Sequence, residues 1–210
     1  MTTTDDPPAT PETSEPVLEH GRIGYGKYAR YTPLGLAALI VLVLLAIGIA
    51  ERRPGASNDR VGRLVGKPAP DATLTLLDGS PLRLADLRGS VVALNFWAAW
   101  CAPCENELPR FQAVADEATR GGEPVRIVGV GIKNDYDENA RNLVSKLGLT
   151  FPIGRDTAGD DVMRGPIETA FGISNYPTTV FIRPDGTVDA VHIGELDEQQ
   201  IRDYIARSTG

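Results

Sequence analysis

The sequence predicts an α/β domain: a central mixed sheet flanked by helices, with an N-terminal β-hairpin extension, preceded by one transmembrane helix. Three observations carry that prediction. From Ala72 onward, short apolar runs alternate with stretches of helical periodicity. Upstream, Leu34 to Ala50 holds 17 consecutive apolar or Gly residues. Between the first fully apolar strand and the helix after it stand the only two cysteines, Cys101 and Cys104.

Residues 1–31 predict a disordered tail. Their first 20 residues are rich in Thr and Pro and contain no Lys or Arg, so they offer nothing to a core. Residues 32–50 predict an uncleaved membrane anchor. At 1.5 Å per residue the apolar run spans roughly 26 Å, close to the shortest helix that crosses a bilayer core. A cleaved leader is the rival, with Gly48-Ile49-Ala50 as a passable cleavage site. The flanking charges conflict with an outward domain, because Arg52, Arg53, Arg60, Arg63 and Lys67 follow the run while only Arg22, Lys27 and Arg30 precede it. Long domains translocate largely regardless of that count. Residues 51–65 read as a polar linker, and 66–210 as the folded domain.

Within the domain, Ala72–Leu77 and Leu82–Leu84 flank Asp78-Gly79 and predict a hairpin. Val91–Trp97 is apolar except for Asn95, as suits a strand covered on both faces. In the helix that follows, Leu108, Phe111 and Ala115 form the sheet-facing stripe, and Pro109 predicts a kink. Val125–Ile132 is a second buried strand. Asp135 with Glu138 predicts a capping box for the next helix, which Gly148 ends. Residues 151–173 predict a short strand, a solvated acidic loop containing Asp156, Asp160 and Asp161, and a short helix ending near Phe171. Thr178–Ile182 and Thr187–Ile193 predict an antiparallel hairpin turned by Pro184-Asp185-Gly186. The last helix is capped by Asp197 with Gln200, and Leu196 staples onto Ile201.

The formal net charge of −7 and the absence of a basic patch exclude nucleic acid as a partner. The chemistry lies in the cysteine pair. A thiol at a helix N-terminus faces unsatisfied N–H groups and the positive end of the helix dipole, both of which favour thiolate. Two-residue spacing lets the second sulfur reach the first across one turn. The pair therefore predicts thiol–disulfide exchange. Cys101, at the helix start, is the expected nucleophile and Cys104 the resolving thiol. No further cofactor is expected beyond this redox-active disulfide. A zinc site needs four ligands, and only His20 and His192 remain to supply them, so no metal site is expected. His192 reads as structural. Trp97 and Trp100 are expected to wall the site and to contact substrate.

FWAAWCAPC resembles the thioredoxin superfamily, and its CENELP continuation is similar to the TlpA/ResA/DsbE branch of membrane-anchored thiol–disulfide oxidoreductases. The resemblance runs from about Gly66 to Arg207 and includes YPTTVFI. It implies a thioredoxin fold and a cis proline at Pro177. It also implies that Tyr176, just before that proline, offers its backbone to a bound peptide in strand fashion. Glu107 matches a Glu the branch carries at this offset, and desolvation beside the sulfurs would fit it for proton transfer. Asn95 stands where thioredoxins place a buried Asp, so that proton task falls to another group or to water. The resemblance further implies an extracytoplasmic location and a disulfide-containing protein substrate such as apocytochrome c. It implies a membrane electron donor of the DsbD/CcdA type as well. The rival from another class is a membrane-anchored copper-delivery protein of the same fold, but such proteins carry Cys-x-x-x-Cys and a histidine ligand. A peroxidase is disfavoured because no Thr-x-x-Cys and no cysteine outside the pair are present.

Overall fold

The computed structural model describes residues 39–43 and 62–210. The chain divides into two compact units, Met1–Arg53 and Pro54–Gly210. In the first, residues 39–43 are helical. Among the described residues no helix is long and apolar enough to cross a membrane. The expected tail lies outside the described residues, as does nearly all of the expected anchor and linker.

Seven strands make one sheet in the order β2-β1-β5-β4-β3-β6-β7. They are β1 (Thr73–Leu76), β2 (Pro81–Arg83), β3 (Val91–Trp97), β4 (Val125–Gly131), β5 (Ile153–Arg155), β6 (Thr178–Ile182) and β7 (Val188–Ile193). Four helices accompany them: α1 (Ala102–Gly121), α2 (Asp137–Leu147), α3 (Pro166–Phe171) and α4 (Glu198–Ser208). The β3, β4 and β5 strands are parallel neighbours, while β6 and β7 run antiparallel. The expected N-terminal hairpin is β1–β2, and β1 joins the sheet by antiparallel pairing with β5. The mixed sheet with flanking helices is the predicted thioredoxin-like architecture.

All seven residues of β3 are buried, because helices cover both faces of the sheet. Strand alternation then splits them between two cores. Val91, Ala93 and Trp97 pack with Leu108 and Phe111 of α1, and with Leu196 and Ile201 beside α4. Val92, Leu94 and Phe96 pack with Val128, Val130, Phe171 and Val180 on the opposite face. Asn95 shares its parity with Ala93 and Trp97, so it points toward α1.

Two expectations need correction. Helix α2 begins at Asp137 with Tyr136 as N-cap and has no side-chain cap. Asp135 is not its cap, because its carboxylate accepts the N–H of Ala99 at 2.7 Å and of Tyr136 at 2.8 Å. Asp137 and Glu138 instead place two carboxylates in the first turn, where the helix dipole favours them. The acidic loop is solvated at Asp160 and Asp161 but not at Asp156, which is buried and accepts the backbone N–H of Glu168 at 2.7 Å. Helix α1 runs as one element through Pro109. The last helix matches its predicted cap, with Asp197 accepting the Gln200 N–H at 2.8 Å.

Phe111 is fully buried where α1 meets the sheet. Phe111→Ala is expected to lower unfolding free energy by about 3–5 kcal/mol, the usual cost of a lost core aromatic and its cavity. Urea denaturation of the soluble domain checks it.

Candidate active site

Strand β3 ends at Trp97, and after three intervening residues the chain enters α1 with Cys101 as its N-cap. The turn is pinned at two points: Ala99 donates its N–H to Asp135, and the Trp100 Nε1 donates to the Asn134 carbonyl at 2.9 Å. Both anchors lie in the loop between β4 and α2, which parallel pairing brings beside the end of β3. Cys101 and Cys104 form a disulfide with an S–S distance of 2.06 Å. Cys101 Sγ also accepts the Cys104 N–H at 3.3 Å, so this sulfur already occupies an N-cap acceptor position. Cys101 is 5% exposed and Cys104 0%. An incoming sulfur can reach only the first.

One turn along α1, Glu107 lies on the same buried face as Cys104 and is 0% exposed. Its carboxylate accepts from Asn95 Nδ2 at 2.7 Å and from the Leu196 N–H at 3.1 Å. Burial raises its pKa to about 7, against the lowering effect of those two hydrogen bonds. Nearby Glu195 adds a further upward push and Arg110 a downward one. Asn95 is also buried, and it donates to Thr179 Oγ1 at 3.0 Å. It therefore serves as a neutral donor to the carboxylate. Glu107 is fully enclosed, one turn along α1 from Cys104.

The Tyr176-Pro177 peptide bond is cis, as the resemblance implies. Strand β6 starts at Thr178, paired with Phe96, so Tyr176 and Pro177 arrive beside the end of β3. The Tyr176 ring meets Trp100 edge-on, with centroids 5.9 Å apart at 84°. The Tyr176 hydroxyl donates to Glu168. Burial and the Glu168 carboxylate both raise the pKa of this phenol, so it stays protonated throughout the physiological range.

The two tryptophans part company. Trp100 is 58% exposed beside Cys101 and can meet a partner. Trp97 is 0% exposed and belongs to the core, so it offers no surface to substrate. An added Cβ at Gly129 would come within 3.1 Å of its Nε1, showing how closely β4 packs on it. The expectation that Trp97 contacts substrate is corrected by strand parity: position 97 points into the α1 core. His192 lies 3.3 Å from the Tyr204 hydroxyl, and burial lowers its pKa. Among the described residues no group of three His, Cys, Asp or Glu side chains could hold a metal ion.

Sequence reasoning missed the roles of four residues near the site. Asp135 pins the cysteine turn, with Arg155 alongside at 3.9 Å; Asp156 and Glu168 are buried behind Tyr176. Local pattern gave no signal for Glu168, since an acidic residue in the first turn of a short helix usually faces water.

A redox-active pair capping a helix beside a cis proline, on a thioredoxin-like sheet, defines a thiol–disulfide oxidoreductase. A family model described as AhpC/TSA family matches residues 65–191, and the chain belongs to that family. The chain is 32% identical over 176 residues to the thiol-disulfide oxidoreductase ResA of Bacillus thuringiensis (strain Al Hakam), covering 83% of this chain and 96% of the relative. Against ResA of Geobacillus thermodenitrificans (strain NG80-2) it is 32% identical over 172 residues, 82% and 94% of the two chains. Among solved structures it is similar to a secreted Mycobacterium tuberculosis disulfide oxidoreductase homologous to Escherichia coli DsbE. That match has a TM-score of 0.56 and 25% identity, and covers 71% of this chain and 98% of the other. A thiol:disulfide interchange protein of Chlorobium tepidum TLS matches with a TM-score of 0.56 and 27% identity over 68% and 96%. The protein is a thiol–disulfide oxidoreductase of the ResA/DsbE type.

The raised pKa of Glu107 has a consequence for folding. A carboxyl whose folded pKa is about 7 and whose ordinary value is 4.5 holds its proton more tightly when folded. It therefore contributes stability that is complete below about pH 4.5 and lost as pH rises through about 7. The loss is on the order of 3 kcal/mol. Glu107→Gln should lack this loss, so the difference in Tm between wild type and variant should shift against wild type from pH 5 to pH 8. Parallel Tm profiles would show that Glu107 does not titrate in this range.

Proposed function

We propose that the domain at residues 66–210 is an extracytoplasmic reductase of protein disulfides, held to the cell membrane by the segment at residues 32–50. The substrate we assign is apocytochrome c during cytochrome c maturation, with a membrane electron donor of the DsbD/CcdA type returning the pair to its dithiol. The observation that carries the reading is the unequal burial of the two sulfurs together with a buried carboxyl of pKa about 7 one turn along the same helix. The name of the M. tuberculosis relative as a secreted protein supports the location.

In the reduced protein the Cys101 thiolate, favoured by the α1 N-terminus, attacks one sulfur of the substrate disulfide. A Cys101–substrate disulfide forms, and the second substrate sulfur leaves as a thiolate that takes up a proton. Cys104 then loses its proton and attacks Cys101 Sγ, which releases the first substrate thiol. Two electrons have passed to the substrate and the Cys101–Cys104 disulfide is restored. Glu107 is the group placed to accept the Cys104 proton: it is buried on the same face and has a pKa near neutrality. Trp100 and the backbone of Tyr176, before Pro177, flank the exposed sulfur and receive the substrate segment.

Cys101→Ser should abolish reduction of a peptide disulfide, whereas Cys104→Ser should accumulate a mixed disulfide through Cys101. Mass spectrometry of the trapped species checks it, and capture through Cys104 would reverse the roles. For the location, protease added to intact spheroplasts should remove the domain at residues 66–210. Full protection of the domain would place it in the cytoplasm and remove apocytochrome c as its substrate.

A further inference from the structure

Among the described residues, one glutamate besides Glu107 is fully enclosed. Glu168 lies in α3, well away in sequence from the cysteines, with no exposed surface. One carboxylate oxygen accepts from the Tyr176 hydroxyl. The other accepts the backbone N–H groups of Lys133 and Gly165, each at 3.2 Å. The Glu168 N–H is itself held by Asp156 at 2.7 Å. An added Cβ at Gly165 would stand 2.1 Å from Asp156, so this close approach requires glycine.

The contacts close on themselves. Lys133 precedes Asn134, whose carbonyl accepts the Trp100 Nε1 at 2.9 Å. The Trp100 ring meets the Tyr176 ring edge-on at 5.9 Å, and Tyr176 leads back to Glu168. One buried carboxylate thus roots both ends of an aromatic pair that stands beside Cys101. It cannot readily turn away, because a buried acceptor without its donors loses the full desolvation cost of the group. A free indole as exposed as Trp100 would sample several rotamers, and a substrate would have to order it on binding. Tethered at both edges, it is ordered beforehand. Beside it lies a groove of about 280 Å³ lined by Trp100, Lys133, Asn134, Asp135, Tyr136 and Val162. Tyr136 and Val162 are strongly exposed, so the groove sets two apolar side chains beside Trp100, the residue next to Cys101.

We infer that Glu168 is a positioning residue for substrate recognition: it holds Tyr176 and Trp100 as a rigid aromatic wall for an extended segment of the disulfide substrate carrying an apolar side chain beside its cysteine. This rests on the reading above that the protein acts on protein disulfides.

Two variants cut the ring at different points. Glu168→Gln keeps an acceptor for Tyr176 but turns an NH2 toward the two backbone N–H donors, loosening the Lys133 arm. Tyr176→Phe removes a single oxygen and leaves the packing intact, so it carries the test even if Glu168→Gln folds poorly. The probe is a peptide with a Cys-Gly-Gly-Cys disulfide and an adjacent Phe, compared with the same peptide carrying Gly and with dithiobis(2-nitrobenzoate). In single-turnover reduction by the reduced protein, both variants should raise the half-saturating concentration of the Phe peptide by about tenfold. Glu168→Gln should leave the maximal rate, the rate with the small disulfide and the reduction potential unchanged. In a Trp97→Phe background, where Trp100 is the only tryptophan and is excited selectively at the red edge of its absorption, both should lower its fluorescence anisotropy and increase its quenching by acrylamide. Wild-type anisotropy and quenching in both variants would overturn the tether while leaving the oxidoreductase reading intact. A wild-type protein that reduces the small disulfide but neither peptide would sink the substrate reading, and the recognition role with it.

Discussion

Glu107 has to be met by donors from distant parts of the chain, because a carboxylate that water cannot reach is otherwise too costly to keep ionised. Asn95 supplies one from the middle of β3, and the backbone of Leu196 supplies another just before α4. The site is therefore complete only when strand, helix and C-terminal helix have come together. The identity of residue 95 matters to that arrangement. An aspartate there would set two carboxylates within hydrogen-bond distance, and one would be forced to keep its proton. The amide is neutral and donates, so of these two bonded side chains only Glu107 is an acid, with a pKa of about 7.

The sheet supplies the remaining geometry. Parallel pairing of β3 with β4 sets the β4–α2 loop against the cysteine turn, where Asp135 and Asn134 hold Ala99 and Trp100. Antiparallel pairing of β3 with β6 delivers the cis proline to the same end. These turns meet at the C-terminal ends of β3 and β4, which is where open α/β folds place their sites. Ala98 stands where a Thr-x-x-Cys arrangement would need its threonine. The dithiol pair, not a lone activated thiol, is what this chain presents.

Much of the fold was legible in local pattern. The fully apolar β3 marked a strand covered on both faces, Gly148 marked the end of α2, and Asp197 with Gln200 marked the start of α4. Each of these signals depends on neighbours within about four residues. The reading failed where a side chain's partner lay far along the chain. Asp135 looked like a helix cap because Glu138 follows it at the right spacing, yet Ala99, 36 residues earlier, takes its carboxylate. Asp156 looked solvated because its neighbours are acidic, yet the α3 backbone encloses it. Trp97 looked like part of the site because it adjoins the cysteines, but strand parity turns it into the core.

By itself, then, the sequence determined the order and type of the elements, the place of the cysteine pair at a strand-to-helix junction and, through resemblance, the proline beside it. Those features follow from periodicity, turn chemistry and spacing, which act over one or two turns of chain. Only the tertiary structure decided that Glu107 is bonded to Asn95 and to the Leu196 backbone, and that Glu168 is tied to Tyr176. Burial and hydrogen bonding between residues dozens of positions apart exist only once the sheet has set its strand order, and the ionisation of a carboxyl depends on both.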